Sequence, residues 1–282
     1  MGSELQARGV PMNKAAWCAL ANLDHPELVR QIHEENIRAG AEVIIANTYP
    51  ATRLMLRGAG LEDRFVECNR RAVEAALEAR ERTGHGDVAV AGSISLGVAV
   101  DFMERTQPFP EGSALRNAFS EQAGVLADAG VDLLALEMIM SSSYGTAAVE
   151  TALETGLPVW LGTSVQLSPD GAVVTRGAEP VPFDRFLSEL LRPSLSAVTI
   201  MHSAIASTGP ALEVLAGQWS GPRGAYPESG DFTAPNWIFS GLTPEEFAPT
   251  AASWAGSGAA QIIGGCCGMG PNFVAAIRAA LP

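Results

Sequence analysis

The stretch HPELVRQIHEENIRAGAEVIIANT, residues 25–48, shows the pattern that decides the fold. Pro26–Ala39 has the signals of a helix, with proline at its start and Gly40 just beyond its end. The residues that follow, Glu42–Thr48, form an almost continuous apolar run, as expected of a parallel strand that is buried on both faces. This stretch therefore predicts one helix followed by one buried strand.

The same alternation repeats along the chain and predicts βα units around a parallel sheet. Besides Glu42–Thr48, we expect strands at Val88–Ile94, Val131–Glu137, Leu157–Ser164, Ser196–Met201 and Ala260–Gly264. Further helices are expected at Leu61–Thr83, Ser113–Ala129, Ser143–Glu154, Pro182–Leu191, Thr243–Gly256 and Pro271–Ala280. A seventh strand is expected near Gly224–Tyr226, whereas the strand that would come first in a barrel is missing.

The length of 282 residues suits one α/β barrel, and no linker-like stretch divides the chain. We therefore expect residues 1–282 to form a single TIM-type (β/α)₈ barrel domain. Its first strand is expected to be missing or truncated.

The formal charge of −13, with Lys14 as the only lysine, argues against some partners. Nucleic acids and anionic membranes are bound by clustered Lys and Arg, which this chain lacks. The opening MGSELQARGV has no apolar core of a signal peptide, and the most apolar runs are too short or too polar to span a bilayer. We expect a cytoplasmic protein; a homo-oligomer is compatible with the sequence, which does not determine the oligomeric state.

Polar side chains stand at the carboxyl ends of the expected strands, where a barrel places its chemistry. They are Asn47, Ser93, Glu137, Ser164, His202, Tyr226, Cys266 and Cys267.

The most informative segment is Gly264–Gly268, with the sequence GGCCG. Adjacent side chains diverge on a strand or a helix, so Cys266 and Cys267 can converge on one ion only at an irregular turn, which flanking glycines permit. Two thiolates and one further ligand would make a catalytic zinc site with an open fourth position, where zinc holds a substrate thiol as its thiolate. The alternatives are a pair of inert buried cysteines or a strained vicinal disulfide.

Six segments, taken in order, resemble the zinc-dependent homocysteine S-methyltransferase family over nearly the whole chain. The opening MGSELQARG resembles the family's M-G-T-E-L element, and residues 25–51 resemble its V-x-x-x-H…AGAD…TNTY stretch. The turn at residues 91–94 resembles G-S-I-G, and LLALE ends in Glu137 as the family's strand ends in glutamate. AYPESG resembles Y-P-N-x-G, and GGCCG is the zinc signature.

The resemblance implies a TIM barrel that moves a methyl group from a donor to the homocysteine sulfur and makes methionine. It implies that Cys266 and Cys267 bind Zn²⁺ and that Glu137 binds the substrate's ammonium group. Asn47, Thr48, Ser93 and Tyr226 would line the substrate pocket.

The chain departs from the family's pattern at its third zinc ligand. Where the family has an Asn-Cys pair at the end of the sixth strand, this chain has Met201-His202. Histidine is an ordinary zinc ligand, so we expect a Cys₂His site with one less negative charge than Cys₃ and a less nucleophilic bound thiolate. The alternative is that His202 only forms hydrogen bonds in the pocket.

A second departure is Glu228, which stands where Y-P-N-x-G has asparagine. An extra carboxylate near the mouth would favour a cationic group of the substrate or donor; a solvated loop glutamate is the alternative. The family's first strand and its aspartate would lie upstream of Met1, so we expect a start site upstream of the given one.

The expected reaction is a direct methyl transfer in which the metal lowers the pKa of the thiol and aligns it. A small onium donor, such as S-methylmethionine or a betaine, suits a chain without a cobalamin module, and S-adenosylmethionine would also fit. Two rivals remain: a specialised member that acts on a different thiol or thioether, and a metal-free barrel that binds a small molecule without turnover. His25, His33 and His85 are expected to be structural or solvated, Cys68 is expected in the core, and Cys18 is expected to be a packing residue.

Overall fold

The computed structural model describes residues 1–95, 109–177 and 179–281. Within these residues, seven parallel strands form one curled sheet, in which they lie side by side in their order along the chain. The strands are β1 (Val43–Ile45), β2 (Ala89–Ile94), β3 (Leu133–Ile139), β4 (Val159–Thr163), β7 (Ala197–Ala204), β8 (Arg223–Glu228) and β11 (Ile262–Ile263). They confirm all seven strands expected from the sequence, and the curled parallel sheet confirms the TIM-type architecture.

Helices connect these strands and pack around the sheet. Their bounds are Gly2–Ala7, Ala21–Asp24, Pro26–Arg38, Arg53–Gly58, Phe65–Thr83, Gly112–Asp128, Ser142–Leu153, Phe183–Leu190, Ile205–Ala216, Pro244–Gly256 and Pro271–Ala280, with a 3₁₀ turn at Glu62–Arg64. The seven helices expected from the sequence are all present; Pro271–Ala280 has the expected bounds, and the bounds of the others differ by at most four residues. None of the helices in the described ranges is both long and apolar enough to cross a bilayer.

Some elements were not expected from the sequence. The helix Ile205–Ala216 contains Pro210, which obscured its apolar pattern. Two antiparallel hairpins also extend from the ends of the sheet strands: β5 (Val165–Leu167) with β6 (Val173–Thr175), and β9 (Asp231–Thr233) with β10 (Asn236–Ile238). Both hairpins follow carboxyl ends of strands, so they belong to the face of the barrel that carries the candidate site.

The sheet is open between its two end strands. β1 pairs only with β2, and β11 pairs only with β8, in the described part of the chain. A cavity of about 460 Å³ runs along this opening, past Val43 and Ile262, and up to the cysteine turn. In the described residues, the first element is the helix Gly2–Ala7, and no strand of the sheet precedes β1.

A glycine in the middle of β4 allows the close packing beneath the site. A Cβ atom at Gly162 would lie 2.5 Å from the carbonyl oxygen of Leu136 and 3.1 Å from both Met201 Cγ and Tyr226 Oη. A methyl group there forces backbone atoms apart, so we expect Gly162→Ala to lower the free energy of unfolding by about 1–3 kcal/mol, measured by denaturant titration.

Gly124 provides the matched control for that substitution. It lies within the helix Gly112–Asp128, and a Cβ atom there would meet no atom within 4 Å. Gly124→Ala is therefore expected to raise the free energy of unfolding by about 0.5–1 kcal/mol. An equal effect of the two substitutions would show that the packing at Gly162 is not as tight as described.

Candidate metal and substrate site

The cysteine turn is held by hydrogen bonds to the end of the neighbouring strand β8. The Cys266 amide donates to the carbonyl of Pro227, and the Ser229 amide donates to the carbonyl of Cys267, both at 2.8 Å. Gly268 has φ +80°, and a Cβ atom there would lie 1.8 Å from the carbonyl oxygen of Ser229. Only glycine fits this position, so the glycine after the cysteine pair is required by the geometry of the turn.

The turn brings both thiols together with His202, as predicted from the sequence. The two sulfur atoms are 4.0 Å apart, and Cys266 Sγ lies 3.5 Å from His202 Nδ1. One ligand atom from each of the three residues lies within 4.8 Å of the others. His202 reaches this place because β7 becomes irregular after Met201, and His202 itself has φ +44°.

The donor set fits a metal ion chemically. The hydrogen bond between the two thiols and their burial raise the pKa of Cys266 well above its ordinary value. A thiol with a raised pKa is thus neutral without a counter-ion, whereas a bound cation stabilises the thiolate form that serves as a ligand. Two thiolates and an imidazole are the ligands of a catalytic zinc site.

Glu228 lies behind His202, outside the lining of the described cavity. Its Oε2 atom is 3.1 Å from His202 Nδ1, and its Oε1 atom accepts a hydrogen bond of 2.5 Å from Arg176. The same guanidinium nitrogen of Arg176 donates to the carbonyl of His202 at 2.8 Å. Glu228 is therefore neither solvated nor at the mouth, and its charge is already paired.

Glu137 lies at the carboxyl end of β3 and faces the cavity. It is buried and accepts a hydrogen bond from the Ser93 hydroxyl. Burial raises its pKa, an effect that the Ser93 hydrogen bond partly opposes. No salt bridge to Glu137 is found within the described ranges, so this carboxyl group would gain most from a cationic ligand.

The other predicted pocket residues have structural contacts. The Asn47 side chain lines the cavity, but its amide is engaged with Cys18 and Asn22. Thr48 Oγ1 exchanges hydrogen bonds with the backbone of Ser93, donating at 2.7 Å and accepting at 2.9 Å. Thr48 and Ser93 thus lie one layer behind the cavity, where they hold Glu137 in place. Tyr226 lines the cavity floor and accepts a hydrogen bond from Thr199.

Sequence reasoning missed the aromatic side of the cavity. Trp17 makes edge-to-face contacts with Tyr49 and Phe232, with ring centroids 6.2 and 6.3 Å apart. Trp237 lies 5.8 Å from the His202 ring, and all four aromatic residues line the cavity. Tyr49 could have been found, since it directly follows Asn47 and Thr48 at a strand end. The others come from loops and a hairpin and carried no such signal.

The remaining cysteines and histidines lie away from the ligand cluster. Cys18 and Cys68 are buried, and burial raises the pKa of the two thiols to about 12 and about 11. His33 is buried, and its pKa is lowered to about 3 by burial. Cys68 was expected in the core and Cys18 in packing contacts, and their burial agrees with this; His33 was expected to be structural or solvated, and it is buried.

A family model, related sequences and a solved structure all show similarity between this chain and the same group of methyltransferases. The family model described as homocysteine S-methyltransferase matches residues 1–281. A homocysteine S-methyltransferase of Escherichia coli is 30% identical, over 99% of this chain and 92% of its own length. A selenocysteine methyltransferase of Astragalus bisulcatus is 28% identical, over 98% of this chain and 89% of its own length. The crystal structure of the E. coli homocysteine methyltransferase MmuM in its metallated form superposes with a TM-score of 0.80 and 27% identity, covering 99% of this chain and 93% of that one.

Proposed function

Because this chain belongs to the homocysteine S-methyltransferase family, we propose that it is a zinc-dependent enzyme that methylates the sulfur of homocysteine or a related thiol. The observation that carries the proposal is the convergence of Cys266, Cys267 and His202 at the end of the barrel that also holds Glu137. Zinc is proposed on the donor set, and the description of the E. coli relative as a metallated form supports a bound metal.

Zinc bound there would lower the pKa of the substrate thiol and present its sulfur as the nucleophilic thiolate. Residues of the chain would bind the substrate and orient it. The Glu137 carboxylate, held by Ser93, would pair with the ammonium group of the amino-acid substrate. Tyr226 and the glycine turn would close the floor of the cavity beneath the sulfur. Binding energy at the ammonium group thereby orients the sulfur toward the donor.

The aromatic residues favour a positively charged methyl donor. Trp17, Tyr49 and Phe232 form one side of the cavity, and aromatic faces attract sulfonium and quaternary ammonium groups. The methyl group would pass from the onium centre to the substrate sulfur, and the donor would leave as a neutral thioether or amine. We therefore propose a small onium compound, such as S-methylmethionine or a betaine, and S-adenosylmethionine is also compatible with this chemistry.

The test is a methylation assay with the purified, reduced, zinc-loaded protein. Homocysteine is offered with each of the three donors, and methionine is measured by mass spectrometry. Methionine formed with at least one donor supports the proposal. No methionine with any donor, from a protein that retains zinc, would contradict homocysteine as the acceptor.

A second acceptor is favoured by one comparison. The relative from Astragalus bisulcatus is named a selenocysteine methyltransferase, and a selenol is more acidic and softer than a thiol. With His202 in place of a third thiolate, the metal site carries less negative charge and leaves less electron density on the bound nucleophile. A selenolate is more nucleophilic than a thiolate, so it would remain more reactive in such a site. Competition between homocysteine and selenocysteine in one reaction, read as the ratio of the two methylated products, separates the two acceptors.

A further inference from the structure

The two departures of this chain from the family's motifs meet in the fold. In the family pattern that the sequence resembles, His202 corresponds to a cysteine and Glu228 to an asparagine. The two residues are 26 positions apart, at the ends of the adjacent strands β7 and β8, and the carboxylate oxygen Oε2 lies 3.1 Å from His202 Nδ1. This contact suggests that His202 and Glu228 act together at the same site.

Arg176 holds Glu228 in this position from a third element. It follows β6, and its Nη1 atom donates both to Glu228 Oε1, at 2.5 Å, and to the carbonyl of His202, at 2.8 Å. His202 is thus contacted at its ring by the carboxylate and at its backbone by the guanidinium. The side chains of His202 and Glu228 are only 9% and 7% exposed, so solvent weakens these contacts little.

The conformation of His202 needs such support. Its φ of +44° lies in the left-handed region, which costs a non-glycine residue about 1 kcal/mol or more and persists only where surrounding contacts hold it. The second oxygen of Glu228 is buried and accepts no hydrogen bond of good geometry within the described residues. A buried carboxylate oxygen is costly unless it has a partner, and the imidazole is the group it faces.

An imidazole ligand differs from a thiolate ligand in what it requires. A thiolate can bind a metal from many directions, whereas an imidazole must present one ring nitrogen in a defined plane. A metal-binding histidine therefore usually donates the N–H of its other ring nitrogen to a carboxylate or carbonyl, and loss of that partner weakens metal binding about 10–100-fold. With the Glu228 carboxylate at Nδ1, the nitrogen that would bind the metal is Nε2. A cysteine at position 202 would gain nothing from Glu228.

We propose that Glu228, anchored by Arg176, is the positioning residue that makes His202 competent as the third metal ligand, in place of the cysteine of the family pattern. This inference rests on the proposed metal site and adds to it residues that do not contact the metal. It assigns Glu228 to the metal site rather than to the binding of a cationic substrate or donor.

The experiment is a double-mutant cycle on zinc affinity, measured by competition with a chromophoric chelator, without an activity assay. The variants are Glu228→Gln, His202→Cys and the pair together. We expect Glu228→Gln to weaken zinc binding about 10–100-fold in the chain with His202 and less than about threefold in the chain with His202→Cys. Equal weakening in both backgrounds, or none in either, would overturn the inference.

Two further variants separate this inference from the proposed function. Arg176→Gln is expected to weaken zinc binding in the same direction as Glu228→Gln, and again only when residue 202 is histidine. It also tests the inference if Glu228→Gln fails to fold. His202→Ala tests the ligand set itself: weak zinc binding in His202→Ala together with unchanged binding in Glu228→Gln would refute only the positioning role. Unchanged zinc affinity in His202→Ala would refute the ligand set and the positioning role together.

Discussion

Replacement of Cys267 by serine is expected to abolish both zinc retention and thiol methylation. Cys267 supplies one of the three ligand atoms that lie within 4.8 Å of one another. A serine hydroxyl is nearly isosteric, but it is a far poorer zinc ligand than a thiolate. Loss of a metal ligand weakens zinc binding more than loss of a residue that only orients a ligand. We therefore expect methylation activity to fall by more than about 100-fold.

The control for this variant is Cys68→Ala. Cys68 is a fully buried thiol on the helix Phe65–Thr83, outside the ligand cluster, with Sγ 3.4 Å from the carbonyl of Ala19. Its replacement is expected to lower stability somewhat while leaving zinc content and kcat unchanged. Methylation by Cys267→Ser at more than a tenth of the wild-type rate would show that this thiol is not a ligand on which the reaction depends.

Replacement of Glu137 by glutamine is expected to weaken homocysteine binding by about 10–100-fold. A charge-assisted hydrogen bond to a buried carboxylate contributes about 1.5–3 kcal/mol, and glutamine keeps the shape but loses the charge. The effect should appear in KM more than in kcat, because the ammonium group is bound equally in the ground state and the transition state. Steady-state kinetics over a range of homocysteine concentrations measures it.

The amino group of the substrate provides the internal control. A thiol acid that lacks the amino group of homocysteine should bind wild-type protein and Glu137→Gln with similar, weak affinity. Glu150→Gln, on the surface of the helix Ser142–Leu153, should leave KM unchanged. A Glu137→Gln variant that still prefers the substrate with its amino group as strongly as the wild type does would refute the assignment.

Because the pKa of Glu137 is raised, its proposed pairing with the ammonium group of the substrate should depend on pH. The carboxylate form, which pairs with an ammonium group, predominates only above the raised pKa. As the pH falls through that value, Glu137 takes up a proton, and KM of the wild type should rise toward that of Glu137→Gln. The variant has no group to titrate at this position, so its KM should lack this change.

The sequence predicted the sheet well because the strands are buried on both faces. Runs such as Val131–Glu137 are apolar almost throughout, and this pattern is hard to mistake when helical stretches alternate with it. The helix Ile205–Ala216 was missed because Gly209 and Pro210 interrupt its helical signal. The short hairpins were missed because they have no core of their own and depend on the barrel end from which they extend.

The convergence of Cys266, Cys267 and His202 was predicted better than its surroundings. The glycines around Cys266 and Cys267 indicate a turn directly, and His202 could be aligned to a motif that ends a strand. The contacts of Glu228 were not visible in the sequence, because Arg176 lies 52 residues away and reaches Glu228 from the end of a hairpin. The aromatic side of the cavity likewise joins Trp17 and Phe232 from opposite ends of the chain.

The metal content of the reduced, purified wild-type protein tests the central claim most directly. After loading with excess Zn²⁺ and exhaustive dialysis, elemental analysis should give about one zinc per chain, and His202→Ala should retain much less. That result would support Cys266, Cys267 and His202 as the zinc site on which the proposed methyl transfer depends. A wild-type protein that retains well below one zinc per chain and still methylates homocysteine would contradict the account.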